Sequence, residues 1–212
     1  MPSAAGTEGR RRRLDAAARR QTIIAAAIPE FTTAGYDQTR VSDIAARIGV
    51  TEPVVFQNFG TKAGLFAAVL DSVSEEVARY LTLLGEQSRD VMQLLSMLLA
   101  PELHDRLHSA GGIGMLFVDA AGNADAGIRE AGVHANERVT QAMADVLRRG
   151  QEDGSVRADV DPETLSWLVL SQVHARQFRR THGGRISAAL EQALLEALLA
   201  ALRPPATTAT RR

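Results

Sequence analysis

Apolar residues recur at three- and four-residue intervals along almost the whole chain, and no stretch alternates apolar and polar positions as a strand would. From Leu14 the spacing of Ile23, Ala27, Ile28 and Phe31 predicts a first helix, ended by Gly35, whose missing Cβ suits a left-handed C-terminal position. Pro29 removes a backbone donor inside this pattern and is expected to bend it. Thr39-Arg40-Val41 opens a short second helix through Ile48, and Gly49-Val50-Thr51 reads as a turn. A third helix follows from Glu52 to Asn58, with Thr51 as its N-cap and Pro53 in its first turn, where the missing N–H costs little. Thr61 caps a long fourth helix from Lys62 to about Gly85.

The rest carries the same period. Helical segments are expected over 90–107, interrupted at Pro101, and then over 113–121, 124–149, 162–181 and 186–202. Leu190, Leu194, Leu195, Leu198 and Leu199 form an apolar stripe on the last of them. Residues 1–13 hold Pro, Ser, Gly and Arg without apolar period and read as a disordered arm ending in Arg10 to Arg13; residues 204–212 read as a disordered tail. The fold class expected is all-α, with about nine helices.

Residues 39–62 carry the most information. Two short helices joined by Gly49-Val50-Thr51 have the layout of a helix-turn-helix, whose second helix enters a DNA major groove. Ala45 is small where the helices must approach, and Gly49 suits a turn closed to most residues. Ile44, Val50 and Val55 are spaced to close a small core, with Phe56 and Phe59 packing it against the first and fourth helices.

Those residues resemble the DNA-binding domain of the TetR family of bacterial transcriptional regulators. The resemblance runs from Thr22 to Phe66, through Phe31, Gly35-Tyr36, Ile44-Ala45, Gly49-Val50, Phe59 and Lys62. It implies a DNA-binding domain over 14–62 and a helical ligand-binding and dimerisation domain over 63–203. By the same resemblance Thr39 and Lys62 contact phosphates, and Thr51, Glu52, Val54, Gln57 and Asn58 face the groove. Arg40 stands where family members often have Ser or Thr; it cannot cap the helix but can reach a phosphate. Phe56 replaces the usual Tyr and lacks a hydroxyl for such a contact. Helices four to seven would surround a cavity for a small-molecule effector, with Met97, Met115, Phe117, His134 and Trp167 as candidate lining. The last two helices would pair with a second copy of the chain. A homodimer also has a physical warrant: a palindromic operator demands two recognition helices about 34–36 Å apart, which only a rigid two-fold interface holds.

Composition narrows the alternatives. The 212 residues include no Cys, which removes disulfide scaffolds, thiolate zinc sites and cysteine nucleophiles. His104 and His108, four apart, have no third ligand at metal-site spacing, so neither a metal nor another cofactor is expected. No apolar run approaches the roughly 18 residues needed to cross a bilayer, and the expected setting is cytoplasmic, without a membrane partner. His-Glu-x-x-His, Gly-x-Ser-x-Gly and phosphate-binding Gly loops are missing, which argues against an enzyme. Net charge is −1, yet residues 1–62 hold nine basic and six acidic side chains, a net of +3, so an anionic polymer would meet this end. The alternative is an architectural protein coating DNA without sequence preference, which the near-neutral total disfavours. The expected function is a ligand-responsive regulator, a repressor on a palindromic operator in double-stranded DNA.

Overall fold

A computed structural model describes residues 4–100, 112–182 and 187–205 of the chain. Among the described residues there are nine α-helices and no strand. In chain order they are α1 (Ala4–Gln38), α2 (Val41–Arg47), α3 (Glu52–Phe59), α4 (Lys62–Gln87), α5 (Val91–Leu98), α6 (Gly114–Gly122), α7 (Ala126–Glu152), α8 (Pro162–His182) and α9 (Ala188–Leu202). None of these helices is long and apolar enough to cross a membrane.

Two features of α1 differ from the sequence expectation. Its backbone is helical from Ala4, so the segment expected as a disordered arm continues the helix through Arg10 to Arg13. The ordinary helix-forming residues among them, Ala, Glu and Arg, oppose no part of that extension. The break falls at Gly35, with φ 78° and ψ 168°, and not at Pro29, which the helix accommodates. The Thr32 hydroxyl donates to the Pro29 carbonyl at 3.2 Å in the same turn.

The chain divides into two compact units, residues 1–73 with 110–133, and residues 74–109 with 134–212. The first therefore reaches past residue 62, taking in the start of α4, all of α6 and the start of α7. Ile23, Ala27 and Phe31, four apart on α1, are fully buried, as are Ile44 on α2 and Leu65, Phe66, Val69 and Leu70 on α4. Phe31 and Phe66 meet edge to face at 4.9 Å, and Tyr36 completes the cluster 5.0 Å from Phe66. Leu116 and Ala120 bury the inner face of α6, which packs on α1.

In the second unit α9 packs on α5 and α8. Leu94 and Leu95 of α5, Leu165 and Val169 of α8, and Leu195, Leu198, Leu199 and Leu202 of α9 are buried. The Ser166 hydroxyl donates to the Thr140 carbonyl at 2.8 Å, fastening α8 to α7. Glu191, 8% exposed, accepts from Arg179 at 2.9 and 3.0 Å, with Arg176 at 3.5 Å. A buried carboxylate is tolerated only when paired in this way. The Arg157 N–H donates to the Leu202 carbonyl at 2.8 Å and ties the loop before α8 to the end of α9. Trp167, Leu168 and Leu190, by contrast, stand 49%, 44% and 47% exposed.

Phe31 holds α1 and α4 together through its edge-to-face contact with the buried Phe66 ring. Phe31→Ala is expected to lower the unfolding free energy by about 3–5 kcal/mol, read from urea denaturation followed by circular dichroism. A loss below about 1 kcal/mol would show that the aromatic cluster is not the keystone of this unit.

Candidate nucleic-acid interface

α2 and α3 are short, and their angle is set by the turn between them. Gly49 has φ 68°, and the Val50 N–H reaches back to the Ala45 carbonyl at 3.0 Å. Ile44, Ala45 and Val55 close the core between the helices, all 2% exposed or less, and Val50 is half-buried beside them. With Val55 turned inward, the opposite face of α3 is open: Thr51, Glu52, Pro53, Phe56 and Gln57 are all exposed. Pro53, Phe56 and Gln57 fall at i, i+3 and i+4 and share one stripe. Glu52 lies in the first turn of α3, where a carboxylate suits the positive end of the helix dipole.

The far end of α3 is pinned by α1. Arg20 stacks its guanidinium 4.2 Å from the Phe59 ring centroid and donates to the Asn58 carbonyl. Few arrangements hold a helix C-terminus more firmly than a cation over an aromatic face together with a charge-assisted bond to a terminal carbonyl. The sequence reading did not single out Arg20; it lies about three turns before Phe31, on the face that meets α3, a signal visible only once that packing is known. At the other side of the head, Arg47 donates to Glu30 at 2.9 Å.

The expected contact residues separate into groups. Arg40, Thr51, Glu52 and Gln57 are exposed, and Val54 is half-buried at the edge of the stripe. Arg40 occupies the N-cap position of α2 without a side-chain cap, which leaves its guanidinium to the surface. Thr39 faces inward. It is 4% exposed, and its hydroxyl donates to the Gly35 carbonyl at 2.7 Å with the Glu30 carbonyl at 3.1 Å, so its one proton is spent inside the α1–α2 corner. Asn58 is half-buried, and its amide donates to the Val54 carbonyl at 2.7 Å on its own helix. Phe56, expected in the core, is 37% exposed on the open stripe. Its neighbour Val55 fills the inward position of this short helix, and Phe56, about 100° further round, falls on the outer stripe.

Lys62 begins α4. Its ammonium donates to the Asp37 carbonyl at 3.1 Å and lies 4.6 Å from the Tyr36 ring centroid. Burial lowers its pKa, against the opposing pull of Asp37. The same surroundings raise the Tyr36 phenol, through burial first and then the charges of Asp125 and Asp37.

The candidate effector residues are divided between the two units. Met115 and Phe117 lie half-buried on α6 in the first unit. Met97 and Trp167 are 51% and 49% exposed in the second, and His134 is exposed with its Nδ1 3.2 Å from Glu137. Two concavities of the second unit, one between Leu99, Val173, Arg176 and Leu195 and another between Thr82, Asp145 and Arg149, are lined by none of the five. His104 and His108 lie outside the described residues. Among the described residues no three His, Asp or Glu side chains converge on a metal-sized site.

An all-α chain with this two-helix head and one open recognition-helix face defines a helix-turn-helix protein. The profile of bacterial regulatory proteins of the tetR family matches residues 23–69, and that of the SbtR-like transcriptional regulator C-terminal domain matches residues 103–204. The HTH-type transcriptional regulator TtgR of Pseudomonas putida is 27% identical over 179 residues, covering 76% of this chain and 85% of that protein. A TetR-family regulator from Cytophaga hutchinsonii superposes with a TM-score of 0.70 at 19% identity, over 89% of this chain and 96% of that one. The regulator FadR from Bacillus subtilis, solved in complex with stearoyl-CoA, gives 0.66 at 16% identity, over 86% and 99%. The chain belongs to the TetR family of transcriptional regulators, proteins that bind DNA and regulate transcription and are not enzymes.

Two substitutions divide the work of the interface. Gln57→Ala is expected to remove about 1–3 kcal/mol of affinity for a specific duplex while sparing binding to random DNA, measured by fluorescence anisotropy. Equal losses on both would show that Gln57 reads no base. Lys62→Ala is expected to weaken binding to every duplex and to reduce the slope of log affinity against log salt by about one. An unchanged slope would remove Lys62 from the phosphate contacts.

Proposed function

We propose that this protein is a homodimeric, ligand-responsive transcriptional regulator, a repressor that binds a palindromic operator and leaves it when a small molecule binds. The observation that carries this reading is the open face of α3, where Thr51, Glu52 and Gln57 are exposed with Val54 at the edge; Arg40, before α2, is exposed as well. Gln57 offers a donor and an acceptor to adenine, and Thr51 or Val54 a methyl contact to thymine. Arg40 and Lys62 flank that face as phosphate contacts, and the helical segment bearing Arg10 to Arg13 adds cationic charge at the same end of the chain. The DNA-binding domain is assigned to residues 14–62, and ligand binding and dimerisation to residues 63–203.

Exposure of Trp167, Leu168 and Leu190 on α8 and α9 supports a two-fold interface built from the last two helices. Large apolar side chains at adjacent positions are costly to leave in water, and a second copy removes that cost. FadR, solved with stearoyl-CoA, has the same fold, which supports a small organic effector for this chain without naming it. Such an effector acts by binding more tightly to the form whose recognition helices are wrongly spaced. A DNA-bound regulator of this kind works in the cytoplasm.

Selection of a random duplex library by the purified protein, followed by anisotropy across a salt series, tests the reading. Enrichment of a two-fold symmetric site bound by an even number of subunits is the expected outcome. Binding without enrichment would replace this proposal by that of an architectural DNA coat.

A further inference from the structure

At Gly35 the φ of 78° and ψ of 168° interrupt the helical ladder, so the N–H of the next residue, Tyr36, cannot find its partner in the preceding turn. That donor meets the carboxylate of Asp119, on α6, at 2.7 Å. The two residues are 83 positions apart in sequence and share the first unit. Asp119 therefore plays the part of an N-cap supplied by another helix, and its charge makes the bond stronger than a neutral one. The approach is close enough to dictate residue 35 as well: a Cβ there would lie 3.2 Å from the Asp119 Oδ2. Gly35 thus serves two purposes, its conformation and the space for the carboxylate.

What Asp119 holds on one side, the DNA-reading surface uses on the other. Tyr36 presents its ring to the Lys62 ammonium, and the next carbonyl, that of Asp37, accepts from it. The Gly35 carbonyl receives both the N–H and the hydroxyl of Thr39, immediately before α2. A shift of the 35–37 backbone would therefore displace the start of α2 and the start of α4 together. Asp125, at the head of α7, stands near enough to the Tyr36 phenol to raise its pKa, so α6 and α7 attend both ends of that residue.

We infer that Asp119 is a positioning residue of the DNA-binding head, fixing the α1–α2 corner from α6 and, through Tyr36, the phosphate contact at Lys62. This rests on the reading of the protein as a dimeric operator-binding regulator. Met115 and Phe117 lie on the same nine-residue helix, so anything that displaces them moves the Asp119 carboxylate as well. A head released at this corner still reads bases through α3 but tolerates wrong half-site spacing, because spacing depends on how rigidly each head is held.

The test compares the full chain with Asp119→Ala and Asp119→Asn. Each is assayed on the duplex enriched by the wild type and on the same duplex with its half-sites one base pair closer or further apart, and Tyr36 amide exchange is followed by NMR. Asp119→Ala is expected to remain folded, to expose the Tyr36 amide to exchange at least about tenfold faster, and to bind the enriched duplex about tenfold more weakly. Its preference for the native spacing should collapse. Asp119→Asn keeps an acceptor and should keep both Tyr36 protection and the spacing preference. If Asp119→Ala does not fold, the asparagine variant decides alone: an unprotected Tyr36 amide there overturns the inference. A native spacing preference in a folded Asp119→Ala overturns it too. Failure of the wild type to enrich any duplex overturns the functional reading itself, and this inference with it.

Discussion

The helix-turn-helix head depends on one interrupted helix. Up to Gly35, α1 supplies Ile23, Ala27 and Phe31 to the core; beyond it the chain must turn so that α2 starts six residues on, at Val41. Only a residue without Cβ adopts the left-handed φ of that corner at little cost. The break liberates a carbonyl and an N–H, and both are satisfied at short range: the carbonyl by Thr39, the N–H by Asp119. Leaving either unpaired in a half-buried corner would cost about as much as a core methyl group or two. The position of α2, and with it the angle of α3, follows from that pairing.

Around the corner the aromatic residues convert local geometry into rigidity. Phe31, Tyr36 and Phe66 form one cluster, so the end of α1 and the start of α4 cannot move independently. Arg20 ties the end of α3 to α1, and the Val50 N–H on the Ala45 carbonyl fixes the turn that starts it. The recognition helix is thereby held at both ends while its outer face stays open. A surface that must match a major groove needs this combination, since every ångström of freedom is paid as lost complementarity.

Legibility in the sequence followed the range of the interaction. Helix periods, the Gly49 turn, the N-terminal Pro53 of α3 and the buried trio Ile44, Ala45 and Val55 all arise within a few residues, and each was readable from spacing. Gln57, Thr51 and Arg40 were readable as surface because the inward positions were already assigned. The inward turn of Thr39 was not legible because a hydroxyl at a helix start looks the same whether it faces solvent or folds back on carbonyls four and nine residues behind it. Phe56 was misread because its apolarity suggested the core, while the register of Val55 decided the matter.

The sequence by itself determined that the chain is all-α, that residues 39–62 form a helix-turn-helix, and that Val55 turns inward on α3. Helical period and turn chemistry are properties of neighbouring residues, and they survive any arrangement of the rest. Only the tertiary structure decided which polar groups of the head remain exposed, that α6 packs with the head, and that Asp119 closes the corner at Gly35. Those outcomes depend on which distant donor meets which acceptor. No periodicity records a partner that lies 83 residues away.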